Sequence, residues 1–245
     1  MPTRRESEPL LGRPGDATQA SNQPFYANLY LVHIRLKGTG FFTLVGVVMF
    51  CFEVWYSTLS QKFLPLFTPH PLLQSAAVAI ALIGVLVLQP TTSADTERKR
   101  QGARLHVGIM GLAGLTFMAG VAIIEANKIK GNNPHFKSLH AYLGVATAII
   151  IACQATFGVL MWAVPGAFGG VDNAKATWKY HRWFAYVVVL PMIVFTCLSS
   201  LGTGFNVNVL HMRPWIFYLS FILTIMGLAP RIHLDKLGFR QPTSI

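Results

Sequence analysis

The chain has 245 residues, 53% of them apolar and only 12% charged, with a formal net charge of +11 at pH 7. A soluble domain carries about a quarter charged residues, so this composition excludes a self-standing globular enzyme, a disordered chain, a collagen and a disulfide scaffold. Cys51, Cys153 and Cys197 all lie in apolar runs and read as small apolar residues, not as bridges.

Residues 1–37 are polar and contain Pro2, Pro9, Gly12, Pro14, Gly15 and Pro24, which predicts a disordered tail. No short apolar stretch with a small-residue cleavage site precedes the first long apolar run, so the tail does not read as a signal peptide. A transmembrane helix needs about 20 mostly apolar residues. Six runs meet that need: Gly38–Leu59, His70–Leu88, Leu105–Glu125, Leu139–Val164, Trp183–Leu201 and Pro214–Ala229. They predict an all-α integral membrane protein with one transmembrane domain over residues 38–230. A second tail follows over residues 231–245. Trp55 and Tyr56, Trp162, Trp178 with Tyr180 and Trp183, and Trp215 with Tyr218 fall near span ends, as an interfacial aromatic belt does.

Six spans put both termini on one side. Of the 20 basic residues, the opposite side holds only Lys62, Lys128, Lys130, Lys137 and Arg213. The rest lie in the tails and in the loops shared with them. Positive charge marks the cytoplasmic face, so both termini are expected there. The net charge is then a topology signal, and no nucleic-acid partner is expected.

Four of the eight histidines open the four central spans: His70, His106, His140 and His181. Spans two and four run inward and spans three and five run outward. His70 and His140 therefore share a depth near the outer face, and His106 and His181 share one near the inner face. One histidine at a helix start is commonly interfacial or capping. Four in register on consecutive helices point to a cofactor. Neutral imidazole is a common metal ligand, and two imidazoles on opposite faces of a macrocycle make a haem iron suited to electron transfer. Bundle cores hold such groups. Ligands near opposite ends of a span lie about 20 Å apart, which predicts two haems. Gly108, Gly111, Gly114, Ala119 and Gly120 in span three, and Ala141, Gly144, Ala148, Ala152 and Ala155 in span four, leave room for a flat cofactor or for close helix packing. His33, His211 and His233 lie in tails and loops. His135 reads as a solvated loop residue or as part of an access path.

Phe67-Thr68-Pro69-His70-Pro71-Leu72, Arg104-Leu105-His106, Ser138-Leu139-His140 and Lys179-Tyr180-His181 occur in this order at the four span starts. With them, the chain resembles the cytochrome b561 family over about Gly38 to Ala229. The resemblance implies a six-span protein whose central four-helix bundle, spans two to five, holds two haems b. It implies His70 with His140 as axial ligands of the non-cytoplasmic haem, and His106 with His181 as those of the cytoplasmic haem. It implies a transmembrane oxidoreductase of the ascorbate-dependent monodehydroascorbate or ferric reductase type. A cytosolic donor, ascorbate, gives one electron, and monodehydroascorbate or a ferric chelate takes it on the other side. Ascorbate-using members end span two with an aromatic-arginine pair, where this chain has Leu86-Val87-Leu88-Gln89-Pro90. Span four continues with Ala141-Tyr142 in place of Ser-Trp.

No nucleophile or general-base constellation is needed, and none is evident. Arg100, Arg104, Lys179 and Arg182 flank the inner ligands and are candidate donor contacts. Asn133 and Lys137 precede His140 and are candidate acceptor contacts. Glu53 lies inside span one, where a carboxylate is costly without water or a partner. It reads as a proton holder near the outer haem or as a snorkelling side chain. Glu6-Ser7-Glu8-Pro9-Leu10-Leu11 resembles an acidic dileucine sorting signal and favours a vacuolar, lysosomal or endosomal membrane over the plasma membrane. A homodimer is compatible with the reading. The rival haem arrangement, with two histidines per helix, fails because positions 120, 153 and 194 are Gly, Cys and Val. A proton-coupled transporter predicts broken helices and internal repeats; Pro191 interrupts span five, but no convincing repeat is seen. A membrane subunit without haem is the remaining alternative.

Overall fold

The computed structural model describes residues 38–88, 96–232 and Leu237, with only the backbone described over residues 96–101. The amino-terminal tail with its dileucine string, residues 89–95, and most of the carboxy-terminal tail lie outside the described residues. Six helices carry the fold: α1 Gly40–Leu59, α2 Pro69–Leu88, α3 Thr96–Lys130, α4 Leu139–Ala163, α5 Val171–Ser200 and α6 Pro214–Leu228. All six are long and apolar enough to cross a membrane, and no strand occurs among the described residues. The chain is an all-α, six-span membrane protein.

Two helices are longer than their apolar runs. α3 starts at Thr96 instead of Leu105 and ends at Lys130, while α5 starts at Val171 instead of Trp183. An apolar run measures the thickness of hydrocarbon crossed and does not stop a helix. Residues 96–104 are rich in Glu, Arg, Lys and Gln, good helix formers that carry the turns on into water. His106 and His181 therefore lie well inside their helices and do not open them. His70 and His140 do stand at helix starts, second in α2 and in α4. Ser138 sets the latter start: its extended backbone and its Oγ, which accepts from the Ala141 amide at 3.2 Å, cap α4.

α5 contains one π-turn, Ala185–Val189, closed by the Leu190 amide donating to the Ala185 carbonyl. Pro191 explains its place. A proline ring collides with the carbonyl four residues back and supplies no N–H. Widening the turn just before it relieves the clash while the helix continues.

The helices pack in the ring order α3, α2, α1, α6, α5, α4. The densest apolar core lies on the α1–α6 side, where Phe50 and Val54 meet Leu210, Met212, Phe217 and Phe221. Along this seam the backbones come so close that a Cβ on Gly46 would lie 2.6 Å from Thr224 Oγ1, and one on Gly227 would lie 2.6 Å from the Thr39 carbonyl. Thr43 Oγ1 donates across the seam to the Thr224 carbonyl at 3.3 Å. α2 is tied to α1 by Trp55 Nε1 donating to Ser75 Oγ at 2.9 Å.

Glu53 is wholly buried and neither snorkels nor faces the histidines' cofactor space as a lone proton holder. It accepts from Arg213 Nε at 3.0 Å, from Arg213 Nη2 at 2.5 Å, from the Arg213 amide at 2.7 Å, and from Ser57 Oγ at 3.3 Å. These hydrogen bonds hold the Arg213 pKa above its ordinary value. A carboxylate inside a span is tolerable when a bidentate guanidinium satisfies it. The pair pins the loop after α5 onto α1. Phe67, three residues before His70, packs on Phe205 of the same loop with ring centroids 4.1 Å apart and planes tilted by 47°.

Candidate histidine site

α2 packs on α3 and α4 packs on α5, while little direct packing joins the two pairs. The four histidines point between them. His70 of α2 and His140 of α4 face each other with ring centroids 6.3 Å apart and planes at 77°. His106 of α3 and His181 of α5 lie within electrostatic range of each other. Each pair joins opposite corners of the α2–α5 bundle.

The neighbouring helix fixes the ring in three cases. His70 Nδ1 donates to the Gly120 carbonyl of α3 at 2.9 Å, and His106 Nδ1 donates to the Gly84 carbonyl of α2 at 2.8 Å. His140 Nδ1 donates to the Thr196 carbonyl of α5 at 2.9 Å. A carbonyl oxygen only accepts, so Nδ1 carries the proton and Nε2 keeps its lone pair. That is the tautomer a metal ligand needs, with the outward nitrogen already oriented. Gly120 lies about four turns beyond His106, and Gly84 about four turns beyond His70. The contacts are thus reciprocal, and the two levels stand about 20 Å apart along the helices. The expected vertical separation holds.

His181 differs. Its Nδ1 is buried and meets no hydrogen-bond partner among the described residues. Its ring lies against Gly158 of α4, near Phe157 at 6.4 Å and Trp178 at 5.6 Å between centroids. Gln154 Nε2 donates to the His181 carbonyl at 2.9 Å.

A haem fits this donor set. Two imidazoles bound to one metal through bonds of about 2 Å have ring centroids about 6 Å apart, close to the spacing of His70 and His140. Among the described residues no group of three or more His, Cys, Asp or Glu gathers around a point, and a haem iron asks the protein for only two ligands. A Cβ on Gly108, Gly111, Gly114 or Gly144 would meet no atom of the described residues within 4 Å. Helix-to-helix packing therefore does not account for these glycines. Gly120 is different: its Cβ would lie 2.7 Å from Gln74 Nε2.

The charged candidates divide by level. Arg182 lies within electrostatic range of both inner histidines. Arg104 is half-buried on α3, and Lys179 is exposed with Nζ 5.0 Å from the Tyr180 ring centroid. The Arg100 side chain lies outside the described residues. On the other face Asn133 and Lys137 are exposed in the α3–α4 loop. Lys128, which the sequence reading did not single out, lies within electrostatic range of His70 and His140. Its position in the last turn of an unexpectedly long α3, beyond the apolar run, hid it. His135 pairs with Glu125 at 3.2 Å, with both side chains substantially exposed.

Fold and site together define a six-helix membrane protein that presents histidine pairs from facing helices at two depths. The model of the family described as eukaryotic cytochrome b561 matches residues 90–206. Over that stretch the chain is similar to the cytochrome b561 family, whose members bind haem b and carry electrons across a membrane. The matched segment contains His106, His140 and His181, while His70 precedes it. No curated protein and no solved structure matches the chain.

Proposed function

We propose that the protein carries single electrons across its membrane through two haems b. His70 and His140 hold the outer one, and His106 and His181 hold the inner one. The observation that carries the reading is the meeting of His70 and His140 at metal-sandwich spacing, each with Nδ1 tied to a carbonyl and Nε2 left available. Haem supplies the one-electron couple when bound, and the protein supplies ligands, orientation and field.

The donor is ascorbate on the cytoplasmic side. Arg100, Arg104, Lys179 and Arg182 attract this small anion to the inner mouth. The acceptor on the opposite side is monodehydroascorbate or a ferric chelate, steered by Asn133, Lys137 and Lys128. The distribution of basic residues supports cytoplasmic termini. The dileucine string at Glu6–Leu11 supports a vacuolar, lysosomal or endosomal membrane. The bundle works as a single chain or within a homodimer.

Pyridine haemochrome assay of the gently solubilised protein tests the count, and two haems per chain are expected. His70→Ala and His140→Ala should remove one and the same spectral component, and His106→Ala and His181→Ala the other. A count of one or none, or a shared phenotype of His70→Ala and His106→Ala, overturns the assignment.

A further inference from the structure

Three of the four rings are fixed by a directional hydrogen bond, and the fourth is not. By the reciprocal pattern, the acceptor for His181 should be a carbonyl of α4 about four turns beyond His140, near residues 154–155. There the Gln154 side chain instead donates to the His181 carbonyl. The His181 ring sits about one turn further along α4, where Cε1 would be 2.9 Å and Nδ1 3.5 Å from a Cβ on Gly158. A real Cβ cannot stand 2.9 Å from a ring carbon without a shift. The ring therefore reaches its place only because residue 158 has no side chain. Phe157, whose plane is inclined by 22° to the imidazole, and Trp178, nearly perpendicular at 81°, supply the other walls.

We propose that Gly158 is a positioning residue for the inner site. It lets His181 lie against α4, so that the wall of Gly158, Phe157 and Trp178 sets the plane of the imidazole. The hydrogen bond to Nδ1 does that work for His70, His106 and His140. The inference rests on the reading of His181 as a haem ligand. It carries a consequence for tuning. A hydrogen bond from Nδ1–H to a carbonyl makes the ring a stronger donor to its metal, and ligand strength is one lever on haem potential. At His181 no described residue supplies that lever, and ring orientation takes its place.

The test uses the full chain, with Gly158→Ala and Phe157→Leu as independent variants. The first adds an atom to the wall and the second removes a face of it. Low-spin electron paramagnetic resonance reads the orientation of axial imidazoles, and a redox titration followed in the visible reads the midpoints. The inner component is assigned by its absence in His106→Ala and its survival in His70→Ala. Both variants should shift the resonance of the inner haem alone. Gly158→Ala should also weaken donation from His181 and raise the inner midpoint by about tenfold in the reduction equilibrium, about 59 mV for one electron. The outer haem should be unchanged and serve as the internal standard of folding. Wild-type inner resonance and midpoint in both variants overturn the inference, as does an equal shift or loss of both haems in both variants. If His181→Ala retains two haems, the ligand reading itself falls.

Discussion

Gly120→Ala is a sharp test of how the outer histidine is held. The added methyl would lie 2.7 Å from Gln74 Nε2, 3.2 Å from Gln74 Cδ and 3.3 Å from Leu73 Cβ. The Gln74 amide is the end of a flexible chain and can swing away, but it then gives up its 3.2 Å hydrogen bond to the Phe117 carbonyl, about 1 kcal/mol. Leu73 Cβ is close to the backbone and can yield only by moving α2 from α3 by a few tenths of an ångström. Overpacking of this mild kind costs about 1 kcal/mol. The same displacement lengthens the 2.9 Å contact of His70 Nδ1 with the Gly120 carbonyl towards the limit of a good hydrogen bond, about 3.2 Å. The first two costs, about 2 kcal/mol together, fall on the α2–α3 packing with or without haem, while the loosened support of His70 should weaken the outer site by about thirtyfold. That lies within the range of about 10- to 100-fold seen when a support of a metal-bound histidine is removed. Transfer of haem to excess apomyoglobin, followed in the visible, measures the loss. The outer component should leave about thirtyfold sooner and the inner one at the wild-type rate. Gly84→Ala should have a smaller effect, since its methyl meets Met110 Cε at 3.0 Å and Ile109 Cγ2 at 3.1 Å, both side-chain ends. Equal retention by Gly120→Ala and wild type would refute the reasoning.

At the α1–α6 seam, Gly46→Ala and Gly227→Ala place a methyl against backbone and should each cost about 2–3 kcal/mol. Gly204→Ala, with no atom of the described residues within 4 Å of its Cβ, should be near neutral; thermal melts in one detergent compare the three. Arg213→Ala strips the buried Glu53 carboxylate of its guanidinium and should lower the melting temperature more than Glu53→Gln, which leaves only an exposed cation behind. Arg213→Lys should fall between wild type and Arg213→Ala, because an ammonium cannot reproduce the fork. If the inner cations steer ascorbate, Arg104→Gln combined with Lys179→Gln should slow haem reduction about tenfold at low salt. The difference should vanish near 1 M salt, where the Debye length is about 3 Å; stopped-flow mixing at both salts reads it.

The spans and the meeting of His70 with His140 were legible because bilayer thickness and helix direction leave few choices. Apolar length counts crossings, and alternate directions set depth. The helix ends were less legible where α3 and α5 run on into water, since nothing in a polar helix marks where lipid stops. Glu53 was misread because its partner, Arg213, lies 160 residues away, beyond any local pattern. The glycines left two readings open for a related reason. A run such as Gly108, Gly111 and Gly114 is conspicuous, yet each meets open space, whereas the single Gly46, Gly158 and Gly227 stand against atoms of distant segments. Spacing along one helix shows which residues share a face and says nothing of what the face touches.

The packing of α1 against α6 has a temporal side. α1 enters the bilayer long before α6, and the Thr43 hydroxyl must wait for a carbonyl 181 residues downstream. Glu53 waits for a guanidinium 160 residues downstream. At roughly 5–20 residues per second of synthesis, that interval is about 8–32 seconds. Through it the nascent α1 carries a carboxylate within the membrane before its counter-charge exists, a state that is costly in lipid. Arrival of residue 213 ends it. A ribosomal product that stops after α5 has all four central histidines and still differs from the finished chain in this respect. The charge balance inside α1 is thereby settled only when residue 213 has been made.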